Sequence, residues 1–306
     1  MKEPGAFVLF EHMMREIQRG TGYMTKKIAV INDLSGFGKC SLTAAISVIA
    51  AMGVQPCPLP TAVLSAQTGY PSFYCDDLTD KMELIYQEWK RMKVHFDGIY
   101  TGFMSSGRQI RKALEFVDLF CHRDTFLLVD PIMGDNGERF SFITPEMQSE
   151  MKALSLRADI ITPNLTELCL LTDTDYHMIR EMTEEKHLMT VAEQMARNMI
   201  SAGTKEVVVT GIRYRDESGG REIMANLAVT RKTTSLSACP FIGESYSGTG
   251  DLFASVIAGG RARGDSLFDS VKLAGEMIGK AVEESVKNHV PRNEGVDYEK
   301  YLKMVM

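Results

Sequence analysis

The chain has 306 residues, 44% of them apolar and 24% charged, which suits a globular protein with one large α/β domain or two small ones. A net charge of −6 argues against a general nucleic-acid binder, which needs a basic face to displace counterions from phosphate. The cysteines at 40, 57, 75, 121, 169 and 239 form no CxxC pair, the pattern of reduced thiols in a cytoplasmic protein, and no His/Cys cluster points to a transition metal.

Residues 1–23 carry one apolar patch, Ala6 to Phe10, flanked by acids and followed by no small-residue cleavage site, so they read as a dispensable extension and not a signal peptide. No window of the chain approaches the roughly 20 apolar residues of a membrane span. Residues 24–306 read as a single domain. KKIAVIND (26–33) is a β-rich run followed by a glycine turn and the apolar-periodic SLTAAISVIAAMG, where Gly53 is the expected helix stop. The β–loop–α pattern recurs in FDGIYTGFM with SGRQIRKALEFVDLFC, in TFLLVDPIMGD with TPEMQSEMKALSLR, and in ADIITPN with LTELCLLT. EVVVTG is a late strand, and an apolar helix runs from Leu252 onward. Between them, residues 211–241 read as a hairpin around Glu217–Gly220 with edge strands. Strands alternating with helices imply a mostly parallel sheet covered on both faces, a three-layer αβα fold.

Polar residues gather where these strands end. Asp130 closes FLLVD, Asp135 follows in PIMGD, Asn164 and Glu167 follow ADIITP, Thr210 closes EVVVT, and Asp251 lies in SGTGD. Taken singly, each suits a cap or a turn, and Asn164 with Glu167 has the spacing of a capping box. Ligands of parallel α/β sheets bind at the carboxyl ends of strands, so these positions together set four carboxylates beside a glycine-rich anion cradle. Such a rim suits a magnesium–phosphate complex, because Mg2+ takes one or two carboxylates, waters and phosphate oxygens.

SGTGDLFASVIAG resembles the anion-hole signature of the ribokinase-like kinases, TPNLTE their N-x-x-E magnesium motif, and VDPIMGD the D-P-x-M-G-D stretch of their vitamin-kinase branch. Within that branch the chain is most similar to pyridoxal/pyridoxine/pyridoxamine kinases, from about Lys27 to the late helix SVKLAGEMIGKAVEESV. The resemblance implies transfer of the γ-phosphate of ATP to the hydroxymethyl group of vitamin B6. Asp251 would be the base, and the backbone N–H groups of Gly248, Thr249 and Gly250 would stabilise charge on the moving phosphoryl. Asn164, Glu167, Asp130 and Asp135 would hold Mg2+ and its waters, with Asn164 and Asp130 also on the ATP side, and Thr210 would face the nucleotide phosphates. A monovalent cation such as K+ near the loop and a homodimer are also implied.

At the substrate end the chain departs from its relatives. Their S-N-H-T-G stretch stands here as Ser65-Ala66-Gln67-Thr68-Gly69, keeping Thr68 for the substrate but losing an amide and an imidazole. Asp33 occupies the place of a serine that meets the pyridine nitrogen; it would pair with a protonated ring or simply cap the strand end. Phe103, at a site that is often Tyr, would line the ring pocket. These departures admit, as alternatives, a hydroxymethylpyrimidine or other small-alcohol kinase of the same fold, and a non-catalytic ligand sensor, against which Asp251 and the N-x-x-E pair speak. GFGKCS is not a P-loop, which would need Gly at 33 and Ser or Thr at 40, where the chain has Asp33 and Cys40. Nor is it a Rossmann fingerprint, since no third glycine stands three positions beyond Gly38.

Overall fold

Strand β1 (Lys27–Ser35) is buried on both faces, and its alternation divides the interior in two. Ala29 and Ile31 enter one apolar cluster, while Ile28 and Val30 enter the other. The computed structural model describes residues 25–180, 182, 185–216, 220–243 and 245–306. The extension expected over 1–23 and the hairpin tip at 217–219 lie outside them.

After β1 come α1 (Ser41–Ala51), β2 (Gln55–Leu64), the short β3 (Cys75–Asp77) and α2 (Thr79–Arg91). The middle of the chain supplies β4 (Gly98–Thr101), α3 (Gly107–Phe120), β5 (Phe126–Val129), a small hairpin of β6 (Gly134–Asp135) with β7 (Glu138–Arg139), and α4 (Pro145–Leu156). Next are β8 (Ile160–Ile161), α5 (Leu165–Thr172), α6 (Tyr176–Arg180), α7 (Glu185–Ala202) and the antiparallel run β9 (Glu206–Arg215), β10 (Glu222–Val229) and β11 (Thr234–Pro240). Helices α8 (Thr249–Arg263) and α9 (Leu267–Lys287) and two 3-10 turns complete the described chain.

The main sheet has the order β11-β10-β9-β8-β5-β4-β1-β2-β3. Pairing is parallel from β9 through to β2, and antiparallel where β3, β10 and β11 extend its edges. Helices α2, α3, α4, α5 and α7 cover one face through Met82, Phe116, Met151, Leu168 and Ala192. The other face is covered by α1, α8 and α9 through Val48, Val256 and Met277. This is the expected three-layer, ribokinase-like αβα fold with an edge hairpin. Because β2 lies on one side of β1 and β4 on the other, the strand order reverses there, and the carboxyl ends of β1 and β4 flank the crevice where such sheets bind ligands.

Local chemistry accounts for most helix ends. The hydroxyls of Ser106, Thr144 and Ser266 accept bonds from the N–H groups of Gln109, Met147 and Asp269, and α1 stops as expected before Gly53, whose φ is +76°. Strand β2 goes beyond the expected set because it carries Pro56, Pro58 and Pro60. The Gln55 N–H donates to the Lys26 carbonyl across the β1 side, so by alternation the three proline nitrogens face the open edge and remove no ladder bond.

Two expected strand ends need correction. Thr210 does not end its strand, because antiparallel pairing with β10 carries β9 on to Arg215. Asp135 is not part of the strand that delivers Asp130; it belongs to the separate β6–β7 hairpin.

Candidate active site

The glycine loop meets α1 at the start of α8. Gly248 has φ +80°, and a Cβ there would lie 2.1 Å from the Lys39 carbonyl oxygen, so only glycine permits this approach. Gly250 is different: a Cβ there would meet nothing nearer than the Asp130 Oδ2 at 4.0 Å, which leaves open space beside the helix start. The first N–H groups of α8 have no intrahelical partner and lie at the positive end of its dipole.

Asp251 stands in this first turn, yet its bonds leave the helix. Its Oδ1 accepts from Asn32 Nδ2 at 3.0 Å, and the Ser41 N–H also favours its ionised form. Asn32 joins the two sides of the crevice, since its Oδ1 accepts from the N–H of Asp33 at 2.9 Å and of Phe103 at 2.8 Å. Asp33 Oδ2 accepts from the Ser35 hydroxyl at 2.8 Å. Asp130, just past β5, uses Oδ1 to accept from Thr162 at 3.0 Å and turns Oδ2 toward Gly250.

These acids are buried together. Burial, then the charge of Asp33, pushes the Asp251 carboxyl up to about 6 against the bonds from Ser41 and Asn32. Burial, then Asp251, pushes Asp130 up to about 7, with the Thr162 hydroxyl opposing. Glu167 is raised well above the carboxylate range by burial and then by Asp130. Asp33 is raised by burial, against the hydroxyls of Ser41 and Ser35. Among the described residues, no lysine or arginine contributes to these shifts. Uncompensated buried carboxylates are costly, so the donor set suits a ligand that brings positive charge.

The structure brings most of the expected residues to one rim. Asn164 and Glu167 form the reciprocal capping box of α5: Asn164 Oδ1 accepts from the Glu167 N–H, and Glu167 Oε2 from the Asn164 N–H. Their remaining atoms are also engaged, Asn164 Nδ2 donating to the Gly134 carbonyl and Glu167 Oε1 accepting from the Met133 N–H. Thr210 bridges to Asn164 across the sheet. Among the described residues no group of three or more His, Cys, Asp or Glu is arranged to hold a metal by itself.

A cleft of about 660 Å3 opens beside this rim, lined by Tyr70, Asp135, Ser245, Ser247, Arg292 and Asn293. The Phe103 ring meets Phe142 edge-on at 5.6 Å, and Phe37 lies 5.6 Å from Tyr70. Thr68 is exposed, whereas its neighbour Gln67 is buried and tied to the Asn293 carbonyl at 3.0 Å and the Gly69 N–H at 2.7 Å. Sequence reading missed Asn32, Phe142 and the Pro291–Gly295 turn. Only Asn32 left a signal: it is a polar residue directly after the buried run Ile28–Ile31.

Comparison with known proteins fits this geometry. A family model described as phosphomethylpyrimidine kinase matches residues 37–294. The chain belongs to the phosphomethylpyrimidine kinase family. Among relatives of this family, the pyridoxal kinase PdxY of Deinococcus radiodurans is 25% identical over 264 residues, covering 83% of this chain and 85% of that protein. A Bacteroides thetaiotaomicron protein provisionally described as a phosphomethylpyrimidine kinase, solved in a crystal form with pyridoxal, is 37% identical with a TM-score of 0.84, covering 92% of this chain and 96% of that one. The pyridoxal kinase of Lactobacillus plantarum is 26% identical with a TM-score of 0.80, covering 92% and 97%. Among the described residues, no helix is long and apolar enough to cross a membrane.

Proposed function

We propose that this chain is a pyridoxal kinase, transferring the γ-phosphate of ATP to the hydroxymethyl group of vitamin B6. The observation that carries the reading is the buried Asp251 carboxylate, held by Asn32 at the open N-terminus of α8 with Asp130 facing the same space. Asp251 takes the proton of the substrate alcohol. A carboxyl raised to about 6 is ionised at neutral pH yet more basic than a surface aspartate, which suits a general base. The N–H groups of Gly248, Thr249 and Gly250 stabilise charge on the transferring phosphoryl.

The donor set fits Mg2+ bound with ATP. Asp130 offers its free Oδ2, and Asp135 lies at the cleft. Asn164 and Glu167, whose atoms bond each other and the backbone, would hold the ion through its waters, since Mg2+ keeps several. Bound there, such an ion would supply positive charge to the phosphates. Thr210, on the same rim as Asn164, faces the nucleotide phosphates. Asp33 meets the ring nitrogen of the substrate, and Phe103 with Phe142 walls the ring.

The family description favours a second reading, a hydroxymethylpyrimidine kinase, which uses the same base and cradle on a different ring. Phosphate transfer from ATP to pyridoxal, pyridoxine, pyridoxamine, hydroxymethylpyrimidine and ribose decides between them. Highest kcat/KM on a B6 vitamer is expected; a clear preference for hydroxymethylpyrimidine would overturn the first reading.

A further inference from the structure

We infer that Asn32 is a positioning residue that holds the Asp251 carboxylate in its reactive orientation and ties it to the substrate wall at Phe103. This rests on the kinase reading above. The geometry is specific. Asn32 is fully buried in β1, three residues before its end, and both polar atoms of its amide are engaged. Nδ2 donates to Asp251 at 3.0 Å, while Oδ1 accepts from the N–H groups of Phe103 and Asp33. The three bonds reach α8, the loop after β4 and the strand's own next residue. Gly102 leaves the amide the space it occupies, since a Cβ there would lie 2.4 Å from Nδ2 and 2.6 Å from Cγ.

Without the amide, an aspartate among buried like charges has reason to rotate. Asp33 and Asp130 are close enough to act on it or be acted on by it. The Nδ2 donor opposes that repulsion from a fixed direction. Because the same amide holds the Phe103 N–H, the distance between the base and the ring wall is set by one rigid planar group. A misplacement of about 1 Å at a reacting group is enough to cost roughly 100-fold in rate.

The test uses Asn32→Asp, which has nearly the same shape and keeps an oxygen for the Phe103 and Asp33 N–H groups but loses the donor to Asp251. Gly102→Ala reaches the same amide from outside and serves as the second variant. Each is made in the full chain and in an Asp251→Asn background, and transfer of labelled phosphate from ATP is measured. Asn32→Asp should lower kcat about 10- to 100-fold, the worth of a charge-assisted bond, with KM for ATP unchanged within about twofold. In the Asp251→Asn background the same substitution should change kcat by less than about threefold, because a residue that acts through the base has nothing left to position. Gly102→Ala should follow the same pattern. An undiminished loss in the Asp251→Asn background, or near-normal kcat for Asn32→Asp in the parent chain, overturns this role while leaving the kinase reading intact. A parent chain that transfers phosphate to none of the five alcohols overturns both.

Discussion

Asp251 takes its hydrogen bonds from Asn32 and Ser41 and so looks across the crevice. Asp251→Asn keeps the shape and an oxygen for Asn32 but removes the basicity. It should lower kcat by roughly 10^2- to 10^4-fold while Tm moves little, checked by steady-state kinetics beside thermal melts. Near-normal turnover would return the residue to helix capping, where Asn and Asp are equivalent. Asp33→Asn should raise KM for the B6 vitamer by about 1.5–3 kcal/mol equivalent and leave KM for ATP in place. An unchanged KM would leave Asp33 with its structural bonds to Ser35 and Ser41. The buried acids also set a pH dependence. Asp130 and Asp251 titrate in the folded chain at about 7 and about 6, above their ordinary range. The folded state therefore holds these protons more tightly, and the stability they give is full below about pH 4 and lost as pH rises through 6 and 7. In ligand-free protein these groups should lower Tm between about pH 4 and 7. Asp130→Asn should raise Tm at pH 8, flatten that dependence, and reduce kcat, which stepped-pH melts and assays will read.

At the scale of elements, two glycines two residues apart do different things. Gly248 holds a left-handed conformation against the backbone at Lys39, so Gly248→Ala must push the loop off α1. A loss of at least about 1 kcal/mol in stability is expected, together with activity. Gly250→Ala meets only the Asp130 Oδ2 at van der Waals distance, so Tm should hold while kcat falls from crowding where the phosphoryl would pass. Equal effects of the two on Tm would contradict this division. The βα units are legible in the sequence because their signals are local: apolar alternation in β1, the hydroxyl before α3, Pro145 at the first position of α4. Strand β2 is not, because three prolines deny a strand until the stretch that bears them is known to pair on one side only. A strand end at Thr210 falls short for the same reason, since the extension of β9 depends on its partner β10.

For the whole molecule, the decisive feature is a set of buried carboxylates, Asp33, Asp130, Glu167 and Asp251, whose proton affinity no lysine or arginine among the described residues lowers. A ligand that brings the missing charge should stabilise the fold by mass action, about 2.7 kcal/mol at a hundred times its Kd. Magnesium with ATP should therefore raise Tm more than ATP with EDTA, and the gap should shrink in Asp130→Asn. Equal shifts with and without metal would separate Asp130 from metal binding. Both apolar clusters and the parallel sheet serve this rim, since they hold the ends of β1, β4 and β5 rigid while the loops that bear chemistry stand above them.

The sequence by itself determined the βα order, the glycine-led helix start, the capping box at Asn164 and the family, because each rests on residues within a few positions of one another. It also named Asp251, Asp130 and Glu167 as acids on one rim. What only the tertiary structure decided is how they are held. Asn32 and Asp251 lie 219 positions apart in the chain and meet only when β1 and α8 pack side by side. Gln67 reaches Asn293 across 226 positions in the same way. The carboxyl groups acquire their raised proton affinity from burial and from one another, and neither burial nor proximity is a property of a local run of residues.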